Sequence, residues 1–176
     1  PTEAVGWEPT RRGGQALRRH RRRCRCCVAE AAALAAEAAA DPTWDIGPLL
    51  ALEAKVSAFP ELSKDIEAII AQVKEMIAYG HAVDLHIHPH WEKAEYTNTG
   101  WQMNLDQHYK LSDFPQEERL AIFAKYKNRL EEITGIQTQV FRAGGWCIQP
   151  FADFKALFEE FEMKIDSSVM PGVMWV

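Results

Sequence analysis

Four of the six histidines in this 176-residue chain fall within ten residues: His81, His86, His88 and His90, in GHAVDLHIHPHW. Neutral imidazole is the commonest protein ligand for zinc and similar divalent ions. His86 and His90 are four positions apart. If the chain leaves a strand in a helical turn at Pro89, both rings can point at one ion; if it stays extended, His86 and His88 share a face instead. A single histidine would read as a hydrogen-bonded structural residue, whereas this density reads as metal binding. His81 directly follows the helix-stopping Gly80 and reads as structural. His108, isolated in LDQHYKL, reads as a surface or loop residue.

Other residues suited to chemistry cluster downstream. Arg142 stands in FRAGGW, where a charged hydrogen bond to a carboxylate is one use and pairing with any nearby acid is the other. Gly144 and Gly145 let the backbone approach closely. Trp146 fits either a groove wall or core packing. Trp91, Tyr96, Trp101 and Tyr109 follow the histidines, and aromatic faces suit the apolar faces of sugar rings, although they could equally pack a long loop. Asp166 can touch a ligand or, with Ser167 and Ser168 beside it, make a turn. Cys147 reads as a small buried apolar residue.

These residues need elements to position them. Ile66, Ile69, Ile70, Val73 and Ile77 recur at helical spacing, with Gly80 as the stop. Residues 82–87 read as a short strand. A helix is predicted over about residues 116–133, with Pro115 near its start, Leu120, Phe123, Leu130 and Ile133 on its buried side, and Gly135 after its end. Residues 136–141 read as the next strand, 151–161 as a third helix and 163–167 as a third strand. Such alternation predicts an α/β fold with a parallel sheet wrapped by helices. The long polar stretches follow the first two strands, where active sites of such folds sit.

The segment from Gly80 to His90 resembles the GHEIG-x-H-[ST]-x-x-H segment of polysaccharide deacetylases, the NodB-homology fold. His86 and His90 fall on the metal-binding histidines of its HxxxH motif, and Ile87 stands where Ser or Thr is usual. FRAGGW resembles the family's Arg-containing third motif, and Asp166-Ser167-Ser168 the strand-end motif that follows. The resemblance spans about residues 60–172. It implies an incomplete (β/α) barrel and a hydrolase, acting on carbon–nitrogen bonds other than peptide bonds, that removes acetyl groups from sugars. It implies a divalent metal, expected to be Zn²⁺, held by two His and one Asp, with a second Asp as general base and a late His as general acid. On this reading His86 and His90 hold the metal, Arg142 orients the catalytic carboxylate, and Trp146, Asp166 and Trp91 meet an acetylated carbohydrate. The family's Asp-Asp pair would lie upstream, where this chain is Arg- and Ala-rich. Asp41 and Asp45 sit there in DPTWDIGP, which reads as a turn and not a strand, so neither is taken as the ligand. The late Leu-x-His motif has no counterpart before Val176, and the expectation is a domain truncated at both ends that is a poor catalyst or none.

A rival resemblance is that of DLHIHP to the strand-borne HxH of amidohydrolases and PHP-type metal phosphoesterases, which implies a metal on His86 and His88. A third alternative is a sugar-binding module that keeps the aromatic groove without a working metal site.

Composition narrows the partners. Residues 1–27 carry eight Arg against Glu3 and Glu8, a net of +6, while the rest carries twelve basic against twenty-three acidic residues, a net of −11. An acidic body is a poor nucleic-acid partner. Residues 1–40 are expected to be an atypical leader, disordered or partly helical, ahead of a deacetylase-like domain over 46–176. The Ala-rich run after the basic segment is interrupted by Glu30 and Glu37, so it does not read as a secretory signal, which leaves a cytoplasmic location as the expectation. No apolar stretch is long enough for a transmembrane helix.

Overall fold

The computed structural model describes residues 43–169, and the expectations for residues 1–40 fall outside them. Three residues, Thr43–Asp45, form strand β1, so the reading of DPTWDIGP as a turn is corrected. In the sequence, the turn signals of Pro42, Gly47 and Pro48 outweigh a strand that is only three residues long. The apolar Trp44 and Ile46 both join the core, Ile46 completely buried. Helix α1 follows at Gly47–Lys55, started by Pro48 and buried through Leu49 and Leu52.

Helix α2, Ser63–Ala78, carries the isoleucine stripe, with Val73 buried and Ile66, Ile69, Ile70 and Ile77 packed on the core. It ends in a Schellman motif: Gly80 takes φ +83°, and the Gly80 and His81 N–H groups donate to the Ile77 and Met76 carbonyls. Strand β2 is Asp84–Ile87, and Pro89–Lys93 is a 3₁₀ turn. A hairpin of β3, Glu95–Thr97, and β4, Gly100–Gln102, lies inside what the sequence suggests is a loop. Helix α3, Gln116–Thr134, buries Ile122, Phe123, Tyr126, Leu130 and Ile133, and Gly135 closes it with φ +69°.

Strand β5 is Val140–Ala143, displaced toward the C-terminus from the predicted 136–141. Ile136 is exposed. The Thr138 N–H instead donates to Glu131 Oε1 (2.8 Å) and its hydroxyl to Asp84 Oδ1 (2.9 Å), so side chains hold this stretch before the ladder begins. The predicted third helix is shorter, with a 3₁₀ turn at Phe151–Asp153 and helix α4 at Lys155–Glu160. Strand β6 is Ile165–Asp166.

The four long-range strands form one parallel sheet in the order β1-β2-β5-β6. Sequential parallel order with right-handed crossovers sends every connecting helix to the same face. The core agrees: Leu85, Ile87, Phe141 and Ala143 of the sheet share one cluster with Leu49 of α1, Val73 of α2, Phe123 and Leu130 of α3, and Leu157 and Phe158 of α4. Alternation along the strands then assigns Asp45, His86 and Arg142 to the opposite face. The fold is therefore mixed α/β with a four-stranded parallel sheet, as the alternation of elements predicts. Among the described residues, no helix is long and apolar enough to cross a membrane.

Candidate metal centre and aromatic groove

Register builds the site. Asp45 is opposite His86 across β1 and β2, and His86 is opposite Arg142 across β2 and β5. In-register residues of neighbouring strands point the same way at about 4.8 Å spacing, so a carboxylate, an imidazole and a guanidinium form one row at the carboxyl ends of the strands. Asp45 Oδ1 accepts the Gly47 N–H at 2.9 Å, which ties the carboxylate to the start of α1, while Oδ2 is buried.

Of the two ways in which the sequence could pair the histidines, the extended one sets two rings side by side. His88 is extended (φ −102°, ψ 96°), so it shares a face with His86, and their ring centroids are 4.7 Å apart. The chain then turns at Pro89, and the His90 ring arrives 5.2 Å from that of His88. The result is a ladder of three imidazoles with His88 in the middle. His88 and His90 are almost completely buried and His86 partly so, and the Nδ1 atoms of all three are buried. Gly144 makes this possible: a Cβ there would lie 2.6 Å from His88 Nδ1.

Arg142 Nε donates to Ser167 Oγ at 3.4 Å. Asp166 pairs in register with Phe141, whose ring is in the core, so Ser167 is the residue of this motif on the Arg142 side. Asp166 Oδ1 accepts the Ser168 N–H at 2.8 Å, and Ser168 Oγ accepts the Ala143 N–H at 2.8 Å. The turn reading of DSS thus describes how this motif extends the β5–β6 junction.

The aromatic residues divide between packing and exposure. Trp91 is 5% exposed and packs with Ala51, Ala94, Trp101 and Met103 over Gly47, where a Cβ would meet its ring at 2.5 Å. Its faces are taken by protein. Trp146, directly after β5, is 38% exposed and takes φ +58°. Tyr109 is one of the loop aromatics that the sequence leaves open between sugar contact and packing, with no link to the histidines. Its ring lies parallel to that of His90 (4°, 6.1 Å), and its hydroxyl occupies the space a Cβ on Gly145 would need. Only the polar loop and its histidine neighbour hint at it in sequence. His108 is half-buried against Phe114 (5.3 Å), and His81 is exposed at the α2 stop.

Behind the row, Tyr126 is completely buried. Burial pushes its hydroxyl well above the ordinary phenol pKa, and the Glu92 and Asp45 carboxylates push the same way. Glu92 is tied to Lys125 at 2.6 Å. Cys147 is buried as expected, its thiol pushed up mainly by burial.

The donor chemistry, imidazoles with a carboxylate on the same face, suits a borderline divalent ion such as Zn²⁺. Among the described residues, no three His, Cys, Asp or Glu side chains gather as a ligand set. No family model matches the chain, and neither a curated protein nor a solved structure gives a significant match.

Proposed function

We propose that this chain is a metal-dependent hydrolase of the polysaccharide-deacetylase type, acting on acetylated sugars, with its sheet part of an incomplete (β/α) barrel. The supporting observation is the row of Asp45, His86 and Arg142 at the carboxyl ends of parallel strands, with His90 following the turn at Pro89 and reaching the row through the ring of His88. His86 and His90 would hold the ion, with water completing its shell. Bound there, a divalent ion would polarise an acyl carbonyl and acidify a bound water. Asp45 is the carboxylate nearest to His86 in register and would serve as a further ligand or as a base. Arg142, braced by Ser167, would orient a carboxylate or the substrate through a charged hydrogen bond. Trp146 offers the exposed aromatic face for a sugar ring.

Isothermal titration with Zn²⁺, followed by acetate release from acetylated chito-oligosaccharides, tests the reading. Binding that is lost in His86→Ala and His90→Ala but kept in His88→Ala is the expected result; turnover in addition would overturn the expectation of a truncated, catalytically poor domain. A wild-type chain that binds no Zn²⁺ overturns it. The 4.7 Å approach of His86 and His88 favours one alternative, the HxH metal hydrolase. That alternative predicts loss with His88→Ala and retention with His90→Ala.

A further inference from the structure

We infer that Tyr109 is a positioning residue for His90: its ring fixes the plane of that imidazole and ties it to the loop that follows the Arg142 strand. This rests on the reading of His90 as a metal ligand. Three separate segments meet at Tyr109. Its own loop lies between β4 and the turn at Leu111–Asp113; His90 belongs to the turn after β2; Gly145 belongs to the turn after β5. The near-zero interplanar angle makes the pair an offset stack, within the range over which aromatic rings attract. The other end of the tyrosine is held by backbone shape. Gly145 and Trp146 take consecutive left-handed conformations (φ +61° and +58°), which curl the chain beneath the phenol. A Cβ at Gly145 would collide with the Tyr109 hydroxyl and lie 2.8 and 2.9 Å from Cε1 and Cζ. Glycine at 145 therefore does two things: it accepts the left-handed backbone and leaves room for the ring edge. Residues that orient a ligand histidine from outside the metal shell typically change metal affinity by about 10–100-fold when removed.

Tyr109→Phe, Tyr109→Leu and Gly145→Ala separate this role from general packing. The first readout needs no metal: the His90 ring resonances in long-range ¹H–¹⁵N spectra, assigned with His90→Gln. They should stay near wild-type values in Tyr109→Phe and move in Tyr109→Leu and Gly145→Ala. The second is Zn²⁺ affinity, expected within about 2-fold of wild type for Phe and about 10-fold weaker for Leu, with far-UV circular dichroism unchanged. Unmoved His90 resonances in Tyr109→Leu overturn the inference. So does an equal loss of affinity in Phe and Leu. If the wild-type chain binds no Zn²⁺, the functional reading fails, and the resonance test still decides whether Tyr109 sets the imidazole.

Discussion

Gly144→Ala puts the steric basis of the histidine ladder to the test. The added Cβ would lie 2.6 Å from His88 Nδ1, 2.8 Å from His88 Cγ and 2.8 Å from the Ile87 carbonyl oxygen. Ordinary contact begins near 3.4 Å, so something must move by about 0.6–0.8 Å. Neither neighbour yields easily. His88 is 2% exposed and wedged between the rings of His86 and His90. The Ile87 oxygen is backbone at the end of β2, in register with Ala143. Overpacking of this kind costs about 1–3 kcal/mol, and about 2 kcal/mol lowers the melting temperature of a chain of this size by roughly 4–8 °C. Thermal unfolding followed by circular dichroism measures that shift, and histidine ring resonances report where the strain goes. Gly135→Ala is the control. Its φ of +69° costs about 1–2 kcal/mol through the backbone alone, and a Cβ there meets nothing within 4 Å. It should therefore destabilise without moving the His88 signals. A Gly144→Ala chain that melts within a degree of wild type, with its histidine spectrum unchanged, refutes the close packing of Gly144 on His88.

Arg129 of α3 clasps Glu53 of α1 through Nη2 (2.6 Å) and Nε (3.1 Å), with both side chains about one-quarter exposed. Arg129→Ala should cost about 1 kcal/mol in urea unfolding, and a double-mutant cycle with Glu53→Gln should recover most of it as coupling; additive effects would count against a clasp. Burial raises the Cys147 thiol pKa against the opposing pull of Lys110, so the thiolate fraction at pH 8 is depressed and rises only at higher pH. In a chain with Cys24, Cys26 and Cys27 changed to Ser, a thiol reagent at pH 8 should label Cys147 only after denaturant is added; rapid native labelling would contradict its burial.

Long periodic segments are legible in the sequence alone. The isoleucine spacing and Gly80 located α2, and Pro115, the apolar positions and Gly135 bounded α3 within a residue or two. Their order predicted the parallel sheet. Of the short elements, β2 and β6 are legible, whereas β1 and the β3–β4 hairpin are not. With three residues β1 shows no full alternation, and its flanking prolines and glycine carry a stronger turn signal than Trp44 and Ile46 carry a strand signal. The sequence reading starts β5 too early because Ile136, Thr138 and Val140 alternate with Gln137 and Gln139 in a strand-like period of two, yet Thr138 bonds to Glu131 and Asp84 side chains instead of entering the ladder. At the site, sequence density marked His86, His88 and His90 together but could not say that His88 lies between the others. Asp45 carries no site signal in the sequence because a three-residue strand has no periodicity to reveal it. Tyr109 reaches His90 only through tertiary packing, for which a polar loop offers no periodic signal.

Two kinds of precision meet in this site. Asp45, His86 and Arg142 take their spacing from ladder hydrogen bonds across three strands, backed by Ile87, Phe141 and the helices on the other face. Moving any one of them requires a register change, which would flip its strand's whole apolar set out of the core. His90, Tyr109 and Trp146 instead take their places from turns: Pro89, the loop before Leu111, and the left-handed pair at Gly145 and Trp146. Their positions depend on a few steric contacts, and single methyl groups suffice to disturb them. Substitutions in the turns should therefore retune the histidine ladder at modest cost in stability, whereas substitutions along the strand row that disturb its register should unfold the sheet before they reshape the site.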